Sequence, residues 1–375
     1  MPASPVTTQT AFRAGPSTTA TFREEMMTTT FTRRAAMALA AAAGIAIATV
    51  AGAHAQSAPR TEKLVLRLGA LGSGTEHDIQ SYPIKALIAE VEEKTGGMIA
   101  FEYFPGGQLG GEPEMMDQVL SGSLDVGVLS ANVLATVWPQ LYAYNLPFAF
   151  SDIDEFWKIA GGEAPFASAL REAVNAGGDA RLVSTFSAEF RGLQNTKRAI
   201  RTTDDLKGLT LRVMAGEIFS DTFRSMGATT AAVPFAELYT GLQQGVIDGE
   251  DIGMTMFYDV KLYEVEKHLT QLNMTPTVNV LLMSARAWDK LSEEERQIIQ
   301  TAAFNAEKAS KAAVSERSAK YPAMIESVGV NVVLNKDLTE AEKATFTDAT
   351  KSVWEKYRTI IGDDVYNAYE ASRGQ

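Results

Sequence analysis

The feature that most constrains this chain is a run of alternating strand and helix patterns between residues 64 and 129. Leu64 to Leu68 alternates and is rich in β-formers, so it predicts a strand. Ile84, Leu87, Ile88 and Val91 follow at helical spacing, and Thr95-Gly96-Gly97 stops that helix. Ile99 to Phe104 predicts a second strand. Pro113 suits the first turn of a short helix carrying Met115, Met116 and Val119, which Gly122 ends. Leu124 to Leu129 predicts a third strand. Such a series demands parallel strands joined by crossover helices.

The pattern then recurs. Arg181 to Phe186 and Thr210 to Met214 read as strands, and Glu217 to Met226 as a helix. Thr229 to Val233 reads as a strand, Phe235 to Gln244 as a helix, and Val246 to Gly249 opens a further strand. Two α/β units in series are therefore expected. A short echo supports this: Gly122-Ser123-Leu124-Asp125 and Gly245-Val246-Ile247-Asp248 both read helix, Gly, x, aliphatic, Asp. The last third differs. Val278 to Ser284 is strand-like. Ser292 and Glu295 form a capping box for a long helix towards Ile325, with Glu307, Lys308, Lys311, Glu316 and Lys320 on its polar face. Thr339 and Glu342 cap a final helix through Trp354. A long helix after two α/β units is placed to brace both, and without a low-complexity linker the units should share extensive contacts.

With 375 residues the chain can build two ordinary domains. Its N-terminus reads as an export segment: Arg33 and Arg34, then an uncharged Ala-rich stretch, then Ala53-His54-Ala55, which has the small-x-small form of a signal-peptidase site. A membrane anchor is the competing reading, disfavoured by the Ala-rich core and the cleavage-like end. Secretory and twin-arginine routes both remain open. Met26 and Met27 leave the true start open, so 1–25 also admits reading as an over-called start. No later run is apolar enough to cross a bilayer. The chain has no cysteine, which removes disulfides and thiol chemistry. A formal net charge of −12 argues against nucleic acid as a partner.

In open parallel sheets, ligands bind beyond the carboxyl ends of the strands. That rule selects Gly72 to Asp78, Ser130 to Asn132, Ser187 to Arg191, and Glu250 to Ile252. Gly74 and His77 sit in the first of these loops. Glu76-His77-Asp78 lacks metal-ligand spacing, so His77 is read as a loop residue that touches ligand or none. Arg212 lies in the apolar strand pattern Leu209 to Met214. It admits two readings, an ion pair across the sheet or a guanidinium fork on a ligand carboxylate. Arg191, in Phe190-Arg191-Gly192, is either an exposed loop arginine or a second ligand contact. Asp248, Glu250 and Asp251 could meet a metal or a cationic group, or serve in capping and turn formation. There is no Gly-x-Ser-x-Gly elbow, no His-Glu-x-x-His and no Gly-Lys-Ser/Thr phosphate loop, so neither catalysis nor a cofactor is expected.

Taken in order, these stretches resemble the solute-binding proteins of TRAP transporters, the dicarboxylate-type (DctP-like) family. The resemblance runs from about Leu64 to Tyr369. It is carried by Phe104-Pro105-Gly106-Gly107-Gln108-Leu109-Gly110, Gly122-Ser123-Leu124-Asp125, Leu146-Pro147-Phe148-Ala149-Phe150, Asp204-Asp205-Leu206-Lys207-Gly208-Leu209-Thr210-Leu211-Arg212, Val233-Pro234-Phe235-Ala236-Glu237-Leu238-Tyr239 and Gly245-Val246-Ile247-Asp248-Gly249. It implies a two-domain periplasmic-binding-protein fold, α/β, with a hinge and a long helix bracing both domains. The expected domains are 64–186 plus 277–316, and 187–276 plus 317–375. It also implies periplasmic capture of a small organic acid or zwitterion and delivery to TRAP membrane subunits. By the resemblance, Arg212 clamps the solute carboxylate, Arg191 is the second arginine and Phe235 a pocket aromatic. Loops of the first domain, around Gly72 to His77 (with Gly74) and Asn132, are expected to close over the solute. The chain departs from the family at Glu250-Asp251-Ile252-Gly253, where many members continue Gln-Glu-Asn-Pro. Ile252 replaces a ligand-contacting Asn and cannot donate a hydrogen bond, which puts a simple C4-dicarboxylate assignment in doubt. Another importer type, or an exported enzyme on a similar fold, remains the alternative.

Overall fold

A computed structural model describes residues 60–374 apart from 76–77 and 187–188. The export segment and His77 lie outside the described residues. Among the described residues there are eleven strands: β1 Leu64–Ala70, β2 Ile99–Phe104, β3 Val126–Ser130, β4 Ala180–Phe186, β5 Arg191–Asn195, β6 Thr210–Val213, β7 Thr229–Ala232, β8 Gly249–Gly253, β9 His268–Gln271, β10 Asn279–Ser284 and β11 Asn331–Leu334. They form two sheets, ordered β2-β1-β3-β10-β4 and β11-β9-β5-β8-β6-β7.

The first three strands are parallel, as the helical crossovers Ser81–Lys94 and Glu112–Ser121 require. β10 enters antiparallel between β3 and β4. This corrects the reading of Arg181 to Phe186 as the opening of a second unit: β4 closes the first sheet, held there by a strand a hundred residues later in the chain. In the second sheet β6, β7 and β8 are parallel, while β5 runs antiparallel to both β8 and β9.

The echoed aspartates do the same job in both sheets. Asp125 accepts the backbone N–H of Arg67 on β1 at 3.0 Å, and Asp248 accepts that of Thr210 on β6 at 2.9 Å. Each precedes a strand parallel to the one it caps, after a glycine at φ near +70° (Gly122 +72°, Gly245 +71°). The capping reading of Asp248 therefore holds. β8 begins only at Gly249, because 246–248 are used in this turn.

Two chain segments cross between the sheets, from β4 to β5 and from β9 to β10. They pair: Arg191 N donates to Thr275 O at 2.9 Å, Thr277 N to Glu189 O at 2.7 Å, and Phe190 bridges Pro276. The long helix, Glu293–Ser327, is a third connection. Its first half buries Ile299, Ala302, Ala303 and Ala306 against the first sheet's core, and its last turns bury Tyr321 and Ile325 with the second's. Glu307 was expected on its polar face but is buried, accepting hydrogen bonds from Gly162 N and Ser184 Oγ. Burial pushes its carboxyl up to about 7. The final helix breaks at Thr350 into Glu340–Ala349 and Lys351–Ile361, where the Thr350 hydroxyl bonds back to the Phe346 and Thr347 carbonyls. A further helix, Asp363–Arg373, packs Tyr369 against Phe150 and Phe166 with ring centroids 5.9 and 5.6 Å apart, so the C-terminal helices reach across to elements of the first sheet. Among the described residues no helix is long and apolar enough to cross a membrane.

Candidate functional site

The carboxyl ends of β3 and β6 meet between the sheets, where Asn132 reaches Ala215. On β6, Leu211 and Val213 point into one apolar core and Arg212 to the opposite face, as strand alternation requires. Arg212 is only 4% exposed. Its Nε donates to Val233 O at 2.9 Å, and the guanidinium lies 6.0 Å from the centroid of the Phe235 ring. Among the described residues this is its one hydrogen bond, which leaves the terminal nitrogens without an acceptor. Burial lowers its pKa, although a guanidinium keeps its charge at any physiological pH. A buried cation with spare donors is costly unless an anion arrives.

Arg191, the first residue of β5, is in the opposite condition. Its Nε donates to Asp251 Oδ2 at 2.7 Å and Nη2 to Asp251 Oδ1 at 3.2 Å, with a further bond to the Asp251 carbonyl. Nη1 reaches Thr277 Oγ1 at 3.4 Å, and the guanidinium covers the Phe219 ring at 5.0 Å. Arg191 is thus neither exposed nor open, and Asp251 meets an arginine of its own sheet rather than a metal or amine. Burial raises the Asp251 carboxyl, with Arg191 pulling it back.

The first sheet supplies the facing groups. Asn132 follows β3 and donates its side-chain amide to Ala215 O, just beyond β6, while its Oδ1 is buried without a partner. Gly216, at φ +104°, accommodates this approach: a Cβ there would lie 2.8 Å from Asn132 Oδ1. Gly74, at φ +80°, donates its N–H to Ser81 Oγ at 2.9 Å, and a Cβ would strike Pro105 at 2.8 Å. Asp78 organises this loop by accepting the N–H groups of Ser73, Gln80 and Ser81.

Three residues of this edge escaped the sequence reading. Glu112, not singled out in the sequence, is buried and accepts from Ser130 N at 2.7 Å and Ser130 Oγ at 2.8 Å. Burial raises its carboxyl while Arg212 and Arg191 both draw it down, so it lies in the field of both arginines. Gln80 donates to Asn279 Oδ1 at 3.1 Å, leaving Gln80 Oε1 and Asn279 Nδ2 buried and unpaired. Their signal was positional: Asn279 opens an antiparallel strand, so its N-terminal end faces the site, where the carboxyl-end rule does not look.

Glu250 and Ile252 leave β8 on the face shared with Arg212. Ile252 packs with Leu238, Leu242, Phe257 and Leu269, and Gln194 holds its backbone through both amide atoms. Glu250 is fully buried. Its carboxyl lies in the field of Glu266, which is equally buried, and neither carboxyl has a hydrogen-bond partner. Among the described residues no cluster of three or more His, Asp or Glu is arranged to hold a metal ion.

Residues 73–359 match the family described as bacterial extracellular solute-binding protein, family 7 (DctP). A solute-binding protein of Chromohalobacter salexigens is 29% identical over 291 residues, 76% of this chain and 85% of that protein. A TRAP periplasmic solute binding protein from Sulfitobacter, solved with beta-D-galacturonate, is 27% identical with a TM-score of 0.74, covering 83% of this chain and all of that one. Another from Desulfovibrio salexigens, solved with orotic acid, is 26% identical with a TM-score of 0.77, covering 83% and 99%. The two-sheet α/β fold matches that of these structures, and the chain belongs to the DctP family of extracellular solute-binding proteins.

Proposed function

We propose that this protein works in the periplasm as the solute-binding component of a TRAP-type transporter, without catalysis, and hands its solute to the membrane subunits. The solute is a small organic acid held between the two sheets. The observation that carries this reading is Arg212, a buried guanidinium whose terminal nitrogens have no acceptor among the described residues. A carboxylate fits that fork in two parallel hydrogen bonds. The relatives solved with galacturonate, orotic acid and D-erythronate all hold carboxylic acids. Asn132 Oδ1, Gln80 Oε1 and Asn279 Nδ2 offer unpaired donors and acceptors for hydroxyls, while Phe235 and Ile252 supply an apolar wall. Arg191 acts through Asp251 to hold the site's shape. The lobes are 64–186 plus 277–316 and 187–276 plus 317–375, closing about the paired crossings at Phe190 and Pro276.

A thermal-shift screen over uronates, aldonates, dicarboxylates, orotate, amino acids and ectoine-like zwitterions identifies the solute. A ligand at 100 times its Kd stabilises the fold by about 2.7 kcal/mol. Calorimetry with the strongest hit then tests Arg212→Ala, which should lose about 2–5 kcal/mol of binding free energy while the fold stays intact. Unchanged affinity would refute the assignment.

A further inference from the structure

Behind Arg212 lies a pair of acids that carboxylate binding alone does not need. Arg212 and Glu250 are register partners on neighbouring parallel strands, so their side chains leave the sheet on one face. Glu266 lies in the turn before β9, and both glutamates are 0% exposed. None of their four carboxyl oxygens has a hydrogen-bond partner, and each carboxyl lies in the field of the other. Ionised carboxylates carry only acceptors. One of the two must therefore keep a proton, because two adjacent charges cannot both ionise where water is excluded.

The surroundings leave few other charges to compensate them. Arg212 on β6 faces Glu250 directly, and the Arg191–Asp251 ion pair lies across β8. Gln194 on β5 spends its amide on the Ile252 backbone. His268 on β9 is half-buried, and burial lowers its pKa, so it stays neutral. From the covering helices come Leu238, Leu242, Met254, Phe257 and Ile325. Of the polar groups there, Tyr321 bonds Asp259 and Tyr239 bonds Glu264, while the Arg317 guanidinium of the long helix acts on Glu189 and Tyr321.

We propose that the Glu250–Glu266 pair is a proton store coupled to Arg212: when a solute carboxylate pairs with Arg212, the arginine ceases to favour negative charge on Glu250, and the pair takes up a proton that it returns on release. The proposal rests on the reading of Arg212 as the solute's anchor. Its sign follows from linkage. Burial and Asp251 push the Glu250 carboxyl up to about 8, while Arg212 draws it down. A bound carboxylate offsets that pull and raises Glu250 further. Below about pH 7 the proton is present with or without solute, and affinity is flat. Above about pH 8 binding requires proton uptake, so affinity falls as pH rises, by up to about tenfold per unit.

The test has two arms. In the solute-free protein, infrared spectroscopy should show a protonated-carboxyl stretch that titrates in the alkaline range and is lost in Glu250→Gln. No such band, or no loss, overturns the proposal. Calorimetry with D-galacturonate, and with acetate as the minimal carboxylate, should give affinity that weakens about tenfold from pH 7 to pH 9. Buffers of different ionisation enthalpy should report proton uptake at pH 8. In Glu250→Gln both effects should vanish while affinity at pH 7 is kept. Glu266→Gln repeats the test should the first variant fold poorly. A flat wild-type profile, or a slope that survives in both variants, overturns the proposal and leaves the solute-binding reading intact. Full affinity in Arg212→Ala would instead remove the reading on which it rests.

Discussion

Two buried arginines stand on the same sheet, and they differ in what surrounds them. Arg191 is bound twice by the Asp251 carboxylate, once by its carbonyl, and capped by Phe219. Arg212, equally buried, gives one hydrogen bond to a backbone carbonyl and lies over the Phe235 ring at 6.0 Å from its centroid. Both sit where a ligand would be sought, so neither burial nor position tells them apart. The inventory of partners does. A satisfied guanidinium stabilises the protein in any state, whereas one with spare donors is held at a cost that only an incoming anion offsets.

This contrast can be broken by experiment. Asp251→Ala strips Arg191 of its counter-ion inside the protein and should cost about 3–5 kcal/mol of stability, read from the urea midpoint. Arg212→Ala should leave that midpoint nearly unchanged and act on affinity instead. If the two variants exchange these effects, the roles assigned to the arginines are reversed. Gly216→Ala sharpens the comparison at the facing wall. Its φ of +104° and the 2.8 Å approach of Asn132 should cost about 1–3 kcal/mol, with weaker solute binding because Asn132 is pushed off Ala215. The smallest effects concern the echoed caps. Asp125→Ala and Asp248→Ala each remove one hydrogen bond to a strand N–H and should cost about 1 kcal/mol. Only the second touches the strand carrying Arg212, so only it should also weaken solute binding. Equal effects of both on binding would show that the caps act through overall stability.

Much of this arrangement was legible beforehand, and unevenly. The parallel run from Leu64 to Leu129, the capping box at Ser292 and the helix over 217–225 were read correctly, since each is written in a few neighbouring residues. β5 was not. Arg191-Gly192-Leu193-Gln194-Asn195 has no apolar alternation, because it is buried on both faces and satisfies its polar side chains within the sheet and the turn that follows it. Arg212 was found through its place in a motif, and the choice between its two readings waited for its partners. Glu112 and Glu266 look like ordinary acids until the fold removes water from around them.

By itself the sequence determined the local periods, the caps, the parallel crossovers and the family to which the chain belongs. Those are properties of short segments, decided by side-chain spacing and backbone preference. Only the tertiary structure decided that β10 holds β4 at the edge of the first sheet, that Arg191 is taken by Asp251 sixty residues away, and that Glu250 and Glu266 are buried without hydrogen-bond partners behind an arginine with spare donors. Those are matters of register and of which charges share a dry space, and they exist only once distant segments have been brought together.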